Sequence, residues 1–181
     1  MRIPQLFIKS LYSLKSIAMF RFQKIEKTIS YLFVLSFIVS IPTLALFLIS
    51  FFNNIKTGQF FEFGNLLHEL NDAEANATGI VPVFLFLTCL FLLLSIAMIE
   101  FMTVSILASL GLILKRMFQR KLDYKHLWNM SSYAVTLPSV IIGLSVLLPF
   151  SLPVPFIIYF ALAFIILILA IQKVPKPKVK K

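Results

Sequence analysis

The chain has 181 residues, of which 60% are hydrophobic and 13% are charged, and its formal net charge is +10. A soluble domain carries about 25% charged residues, so this composition excludes an ordinary soluble protein and indicates an integral membrane protein. Nucleic acid is excluded as a partner, because the basic residues flank long apolar runs and form no folded basic module.

The N-terminal segment, residues 1–27, combines basic side chains with a helical apolar pattern. Apolar residues recur every three or four positions, which is the spacing of one helix face. We predict an amphipathic interfacial helix that lies on the inner leaflet, with packing against the other helices as the alternative. The apolar face consists of Ile3, Phe7, Leu11, Leu14, Ala18, Phe22 and Ile25.

Two long apolar runs follow. Residues 28–52 carry no charge, and about 20 such residues cross a bilayer; the run is too long for a signal peptide, so we interpret it as a retained anchor. After an acidic outer loop, residues 53–79, the second run covers residues 80–114 and would extend about 50 Å as a helix. Its span covers residues 80–102 or more, as one tilted helix or as a span that continues into an interfacial helix.

Residues 126–172 contain no Lys, Arg, Asp or Glu, and a proline-rich stretch interrupts them. They predict a third span at 130–148 and a fourth at 155–171, after an inner loop at 115–129. Residues 173–181 form a basic tail. Only helices satisfy their backbone within such segments, so we predict an all-α polytopic membrane protein with four transmembrane helices in a domain covering residues 28–172.

The basic residues predict the orientation of these spans. Of the 17 Lys and Arg residues, 16 lie before residue 28, at 115–125 or from 173 onward, and the exception is Lys56. Cytoplasmic loops are rich in Lys and Arg, so we expect a multi-pass protein of the bacterial cell membrane with both termini cytoplasmic. Anionic lipid headgroups are the expected partner, at about 1 kcal/mol of attraction for each nearby basic residue.

Glu100 is the one ionisable side chain inside the apolar run of the second span, and such residues are candidates for function. In a shallow placement, which we favour, it would pair with Arg21 or Lys24. In a deep placement it would be protonated or bonded to Thr136 or Ser139.

No catalytic constellation, cofactor motif or metal site is evident in the sequence, so we predict no enzyme, no cofactor and no metal. His68 and His126 fall on opposite sides of the predicted membrane and cannot share a metal ion, and Cys89 has no histidine at its depth. The motifs of phosphate-binding loops, serine hydrolases and zinc peptidases do not occur.

Several residues near the inner loop are candidates for interfacial or partner contacts. Trp128 is interpreted as an interfacial anchor, since indole rings prefer that depth. Ser105 with Ser109 and Ser139 with Gly143 have the spacing of close helix packing, within the bundle or between copies. The candidate contact residues are Arg21, Tyr124, Trp128, Tyr133 and Pro138.

Three segments carry a family resemblance: Phe7–Ser13 leading to Phe20–Gln23, Leu122–Trp128 running into Ser132–Pro138, and the Pro-Lys-Pro-Lys tail at 175–178. They resemble a bacterial family of uncharacterised four-span membrane proteins, some labelled maltodextrin utilisation proteins. That family is similar to Yip-type proteins, which are linked to membrane organisation. The resemblance implies an association with sugar uptake and assigns no catalytic residue.

Two functions therefore remain open. The first is a non-enzymatic accessory or membrane-organising protein that binds lipid, a membrane transporter or a second copy of itself. The alternative is a small oligomeric transporter or channel that uses Glu100.

Overall fold

The computed structural model describes residues 3–57, 77–147 and 155–175. Predictions for the middle of the outer loop, the proline-rich hairpin and most of the basic tail lie outside these residues. The described helices are α1 (Ile3–Tyr12), α2 (Leu14–Met19), a short 3-10 helix (Phe20–Phe22), α3 (Ile25–Thr57), α4 (Ala77–Met117), α5 (Tyr124–Ala134), α6 (Thr136–Ser145) and α7 (Pro155–Gln172).

Within the described residues, four segments are long and apolar enough to cross a membrane: Ile25–Asn53, Pro82–Met117, Tyr124–Ser145 and Pro155–Gln172. We call them the first to fourth spans. They confirm the predicted all-α fold with four transmembrane helices. The first and fourth agree with the predicted runs to within three residues at each end.

The second span belongs to one continuous helix of 41 residues. At 1.5 Å per residue its length is about 60 Å, twice the roughly 30 Å of a hydrocarbon core. The chain therefore does not turn into a separate interfacial helix after residue 102. Instead, α4 extends past the hydrocarbon region, and its last turn carries Lys115 and Arg116.

The third span begins at Tyr124, six residues before the predicted start. The backbone N–H of Asp123 donates to Nδ1 of His126 at 3.3 Å and so helps to close the first turn. A one-residue interruption at Val135 separates α5 from α6, because Pro138 lacks the N–H that would bond the carbonyl of Ala134. The non-helical part of the predicted inner loop shrinks to residues 118–123.

The third span is the central helix, although it is the least apolar of the four. Within the 18-residue stretch that defines the third span by its hydropathy, 67% is buried, compared with 6% for the corresponding stretch of the second span. Its buried polar residues include Asn129, Ser132, Thr136 and Ser139. Large apolar side chains cover the outside of the other spans, so polar groups face the interior and apolar groups face lipid, as expected in a membrane.

The N-terminal segment does not form one continuous helix. Ser13 is extended, and its hydroxyl accepts from the backbone N–H of Ser16 at 3.3 Å, so a new helix starts there. This break changes the face that is buried. Leu6 and Ile17 are buried in the bundle, while Phe22, which the predicted face includes, is 71% exposed. The segment packs against α5, α6 and α7, which corresponds to the alternative of helix packing.

Asn129 fixes the end of this segment to the third span. Its Nδ2 donates to the carbonyl of Gln23 at 2.8 Å and to the carbonyl of Arg21 at 3.2 Å. These two carbonyls lie at the turn into α3, where the chain leaves helical geometry and offers no amide partner. The buried Asn129 side chain therefore supplies the hydrogen-bond donor for both carbonyl groups of the turn that joins the N-terminal segment to the first span.

Candidate functional site

Glu100 lies in the middle of the second span and is only 3% exposed. The Ser36 hydroxyl of the first span donates to its Oε2 at 2.6 Å. Ser139 of the third span and Tyr159 of the fourth line the same cavity as the carboxyl group. All four spans therefore contribute a polar side chain at this level of the bundle.

The favoured shallow placement of Glu100 is wrong. Its hydrogen bond goes to Ser36, and within the described chain neither Arg21 nor Lys24 pairs with it. Arg21 and Lys24 lie just before the first span, 15 and 12 residues before Ser36, which corresponds to about three to four helical turns. Of the two partners expected for a deep placement, Ser139 is a neighbour.

Thr136, the other expected partner, is bonded elsewhere. Its Oγ1 lies 2.6 Å from the hydroxyl of Tyr31, which lies 3.0 Å from the hydroxyl of Ser10. This chain of hydroxyls joins α1, the first span and the third span in the buried interior. Tyr31 also packs against Tyr133, with ring centroids 4.7 Å apart.

A cavity of about 250 Å³ adjoins Glu100. It extends from the carboxyl group towards the end of the bundle where the third span ends and the fourth begins, since Val146 and Pro155 line it. Its walls are mainly aliphatic and aromatic, and Thr43, Ser139 and Tyr159 supply hydroxyl groups. Glu100 carries the one ionisable carboxyl group of the described lining.

The two oxygens of Glu100 differ in their bonding. Oε2 accepts the hydrogen bond from Ser36, whereas Oε1 has no hydrogen-bond partner in the described part of the chain. The nearby Ser139 hydroxyl donates instead to the hydroxyl of Tyr159, at 3.4 Å. A buried polar atom without a partner is costly, so Oε1 is the atom of this site whose hydrogen bonding the described residues leave incomplete.

The opposite end of the bundle forms a basic face, where the first and third spans begin and the second and fourth end. Lys115 Nζ donates to the carbonyl of Leu122 at 2.7 Å, and Arg120 Nη2 donates to the carbonyl of Gln172 at 3.0 Å. The first bond joins the loop after α4 to the end of that helix, and the second ties the loop to the fourth span. We define the basic face by Lys15, Arg21, Lys24, Lys27, Lys115, Arg116, Arg120, Lys121, Lys125 and Lys173.

The structure corrects two of the predicted contact residues. Tyr133 and Pro138 are buried within the bundle and present no surface to a partner, because the third span is the central helix. Trp128 is half-buried and packs at a tilt against Phe101, with ring centroids 6.5 Å apart and an interplanar angle of 35°. Tyr124 is exposed at the basic face.

Arg21, the remaining contact residue, is half-buried, and its guanidinium lies 4.4 Å from the centroid of the Phe22 ring. Such a contact holds a cation against the aromatic face. Arg21 and Tyr124 therefore keep partial access to the surface of the basic face.

The two pairs of small residues behave differently. Ser139 and Gly143 face the bundle interior, and a Cβ on Gly143 would lie 3.0 Å from Cγ1 of Val39. Gly143 therefore permits the close approach of the first and third spans. Ser109 is exposed, and both Ser105 and Ser109 bond to carbonyls of their own helix.

The residues around Glu100 that sequence reasoning missed are Ser36 and Tyr159, and it also missed Tyr31 and Asn129. The signal was present in the first span, where Thr28, Ser36 and Ser40 recur at multiples of four residues and all are buried. In an apolar run such spacing marks the helix face that meets other helices.

A family model described as "Protein of unknown function (DUF1189)" matches residues 5–60 and 59–171 of the chain. Neither the curated proteins nor the solved structures gave a match. Groups of three or more potential metal-ligating side chains do not occur among the described residues.

Proposed function

The chain belongs to the DUF1189 family of proteins of unknown function, and we propose that it is a non-enzymatic accessory or membrane-organising protein that acts by binding through its basic face. The partner would be anionic lipid headgroups, a membrane transporter or a second copy of the chain. Anionic lipid headgroups are the best-supported partner, since their negative charge complements the positive charge of the face.

The observation that carries this proposal is the construction of the basic face. The N-terminal segment is held in the bundle by Leu6 and Ile17 and by the two bonds from Asn129. Lys15 and Arg21 therefore have fixed positions beside the ends of the spans. A preformed array of cations loses little conformational freedom when it binds anions, and each basic residue near an anionic leaflet contributes about 1 kcal/mol.

We place the protein in the bacterial cell membrane, with the basic face and both termini in the cytoplasm. The support is the distribution of Lys and Arg, which follows the rule for cytoplasmic loops. In this orientation the basic face meets the negatively charged inner leaflet. The cavity beside Glu100 then opens in the outer half of the bundle.

An association with maltodextrin uptake is also part of the proposal. It rests on the resemblance of Leu122–Trp128 and the following segment to proteins with that label. The likeness to Yip-type proteins, which are linked to membrane organisation, has the same basis. A strain that lacks the protein should grow more slowly on maltodextrin than on glucose, and equal growth on both sugars would remove the association.

The test of lipid binding can use Trp128, the single tryptophan of the chain, as a fluorescent donor at the basic face. The full chain is placed in nanodiscs of neutral lipid with a small fraction of dansyl-labelled lipid. We expect stronger energy transfer to an anionic labelled lipid than to a zwitterionic one, and a smaller difference as salt rises.

The matched variants neutralise basic residues on and off the face. The double variant Lys24→Gln with Lys121→Gln should reduce the preference for anionic lipid, whereas Lys56→Gln, outside the basic clusters, should leave it unchanged. Equal transfer to both headgroups in the wild-type protein would refute the proposal.

The second candidate function is a small oligomeric transporter or channel. The observation that favours it is the buried carboxyl group of Glu100 beside a cavity, since intramembrane acids mark ion and substrate pathways in transporters. It requires that Glu100 take up and release a proton or a cation during transport.

A further inference from the structure

The cavity beside Glu100 is built for a ligand that is mostly apolar. Val39, Ile96, Ile142 and Phe156 form much of its wall. A volume of about 250 Å³ corresponds to about eight groups of the size of a water molecule, at about 30 Å³ each. The cavity therefore fits a small molecule with a short hydrocarbon body.

The carboxyl group at the inner end of the cavity lacks a counter-charge. Oε1 of Glu100 has no partner among the described residues, and the side chain is almost fully buried. Lys115, on the same helix, lies about 22 Å further along its axis, at 1.5 Å per residue. An ionised carboxylate in such surroundings is strongly destabilised until a cation reaches it.

A hydrated inorganic cation fits this site poorly. Hard divalent cations take about six to eight oxygen ligands, whereas the described lining offers one carboxyl group and three hydroxyl-bearing side chains, Thr43, Ser139 and Tyr159, among aliphatic walls. The complementary ligand is a cation that brings its own apolar surface. Tyr159 and Phe156 add aromatic faces, which attract organic cations.

The cavity can be reached from the lipid-facing surface. Ile99 is 49% exposed and Phe156 is 58% exposed, and both line the cavity. An amphiphilic molecule that has entered the bilayer can therefore reach Glu100 between the second and fourth spans without crossing an aqueous phase.

We propose that this cavity binds a small lipophilic ammonium ion, with the ammonium group at the carboxyl group of Glu100 and the hydrocarbon chain against Ile142 and Phe156. The ammonium group donates hydrogen bonds to the carboxylate and supplies the missing positive charge, and its chain fills the apolar part of the cavity. This inference concerns binding alone, and it does not depend on what the basic face binds.

The experiment compares three probes with the same eight-carbon tail: octylammonium, octanol and octanoate. Each is titrated calorimetrically into the full-length protein in nanodiscs, and the heat of partition into empty nanodiscs is subtracted. We expect saturable binding of octylammonium at one site per chain, at least about tenfold tighter than octanol, which corresponds to 1.4 kcal/mol. Octanoate should not bind.

Three variants locate the site. Glu100→Gln should weaken octylammonium binding by about tenfold or more while leaving octanol binding nearly unchanged. Glu26→Gln makes the same chemical change on an exposed residue and should have no effect. Ile142→Phe keeps the carboxyl group and fills the cavity, so it should weaken octylammonium and octanol alike.

Equal affinity of the wild-type protein for octylammonium and octanol would overturn the proposal, as would tight octylammonium binding to a folded Glu100→Gln protein. If Glu100→Gln does not fold, the Ile142→Phe protein decides, because undiminished octylammonium binding there would place the ligand elsewhere.

Discussion

The Ser36 hydroxyl lies 2.6 Å from Oε2 of Glu100 and 2.9 Å from the carbonyl of Leu32, one helical turn earlier. A hydroxyl group has one proton, so Ser36 can donate to only one of these acceptors at a time. When Glu100 is ionised, Ser36 donates to it. When Glu100 is protonated, the acid can donate to Ser36, which then donates to Leu32. The contact between the first two spans therefore persists in both states.

Ser36→Ala should destabilise the protein, because it leaves both oxygens of a buried carboxyl group without a hydrogen-bond partner in the described part of the chain. We expect a loss of about 1–3 kcal/mol, measured by thermal unfolding of the purified protein in detergent. Ser30→Ala is the control, since Ser30 is exposed and bonds only to the carbonyl of Glu26 in its own helix. An equal loss in the two variants would contradict the role of the Ser36–Glu100 bond.

Glu100→Gln separates the accessory function from the transporter function. The amide keeps the size of the side chain and can bond to Ser36, so we expect insertion and folding at the wild-type level. It cannot carry a proton, so a proton-coupled transporter would lose its activity. Proton flux into dye-loaded liposomes measures this. We expect no difference between wild type and variant, whereas a flux that Glu100→Gln abolishes and Glu100→Asp retains would support the transporter.

Asn129→Ala should loosen the N-terminal segment, because the carbonyls of Arg21 and Gln23 lose their shared donor. We expect faster hydrogen exchange in residues 3–23 and a loss of about 1–3 kcal/mol in stability. Ser131→Ala is the matched control: Ser131 is buried on the same helix, but its hydroxyl has no partner in the described structure. Hydrogen exchange that rises equally in both variants would argue against the role of the two Asn129 hydrogen bonds in holding the N-terminal segment.

Gly143→Ala should cost more stability than Gly111→Ala. At Gly143 the new Cβ meets Cγ1 of Val39 at 3.0 Å and its backbone oxygen at 3.3 Å, and the backbone cannot move aside cheaply. At Gly111 the obstacle is the flexible end of Leu127, at 3.1 Å. Overpacking of this kind costs about 1–3 kcal/mol. Thermal unfolding measures the difference, and Val39→Ala should partly restore the Gly143→Ala protein if the collision is the cause.

Single cysteines introduced into a Cys89→Ala protein test the orientation. Positions 56 and 70 should react with an impermeant thiol reagent from outside intact cells, and position 121 should react only after the cells are opened. The reason is the excess of Lys and Arg on the cytoplasmic side. Labelling of position 121 in intact cells would reverse the orientation of the basic face.

The four spans could be predicted from the sequence because an uncharged apolar run of about 20 residues has few alternatives to a transmembrane helix. The start of the third span could not, since Tyr124–Asn129 contains Lys125, His126 and Asn129 and has no apolar signature. Its polar groups are tolerated because other helices and the N-terminal segment surround much of the third span. Hydropathy measures the preference of a segment for lipid, whereas this helix is buried mainly against protein.

For the hydrogen-bond partner of Glu100, the sequence could offer only a choice among hydroxyl-bearing and basic side chains. The reason is that composition does not fix how deep in the bilayer a given residue of a 41-residue helix lies. The N-terminal segment was predicted as one helix and forms two, for a local reason. Ser13 interrupts the helix, so the apolar spacing across residues 3–25 joins two helices that do not share a face. A serine within a helical pattern is a weak break signal, and its capping bond is visible only in the structure.

The polarity of the third span also bears on how the protein enters the membrane during synthesis. Its mean hydropathy is 1.2, compared with 2.5 or more for the other three spans. When the third span is inserted, its serine, threonine and asparagine side chains would face lipid unless the first two spans were already present beside the translocon. Because the first two spans precede the third in the chain, they are synthesised before it and can pack against it. We therefore expect the third span to insert after the first two spans and to pack against them. In a chain that lacks the first two spans, the third span should fail to enter the bilayer.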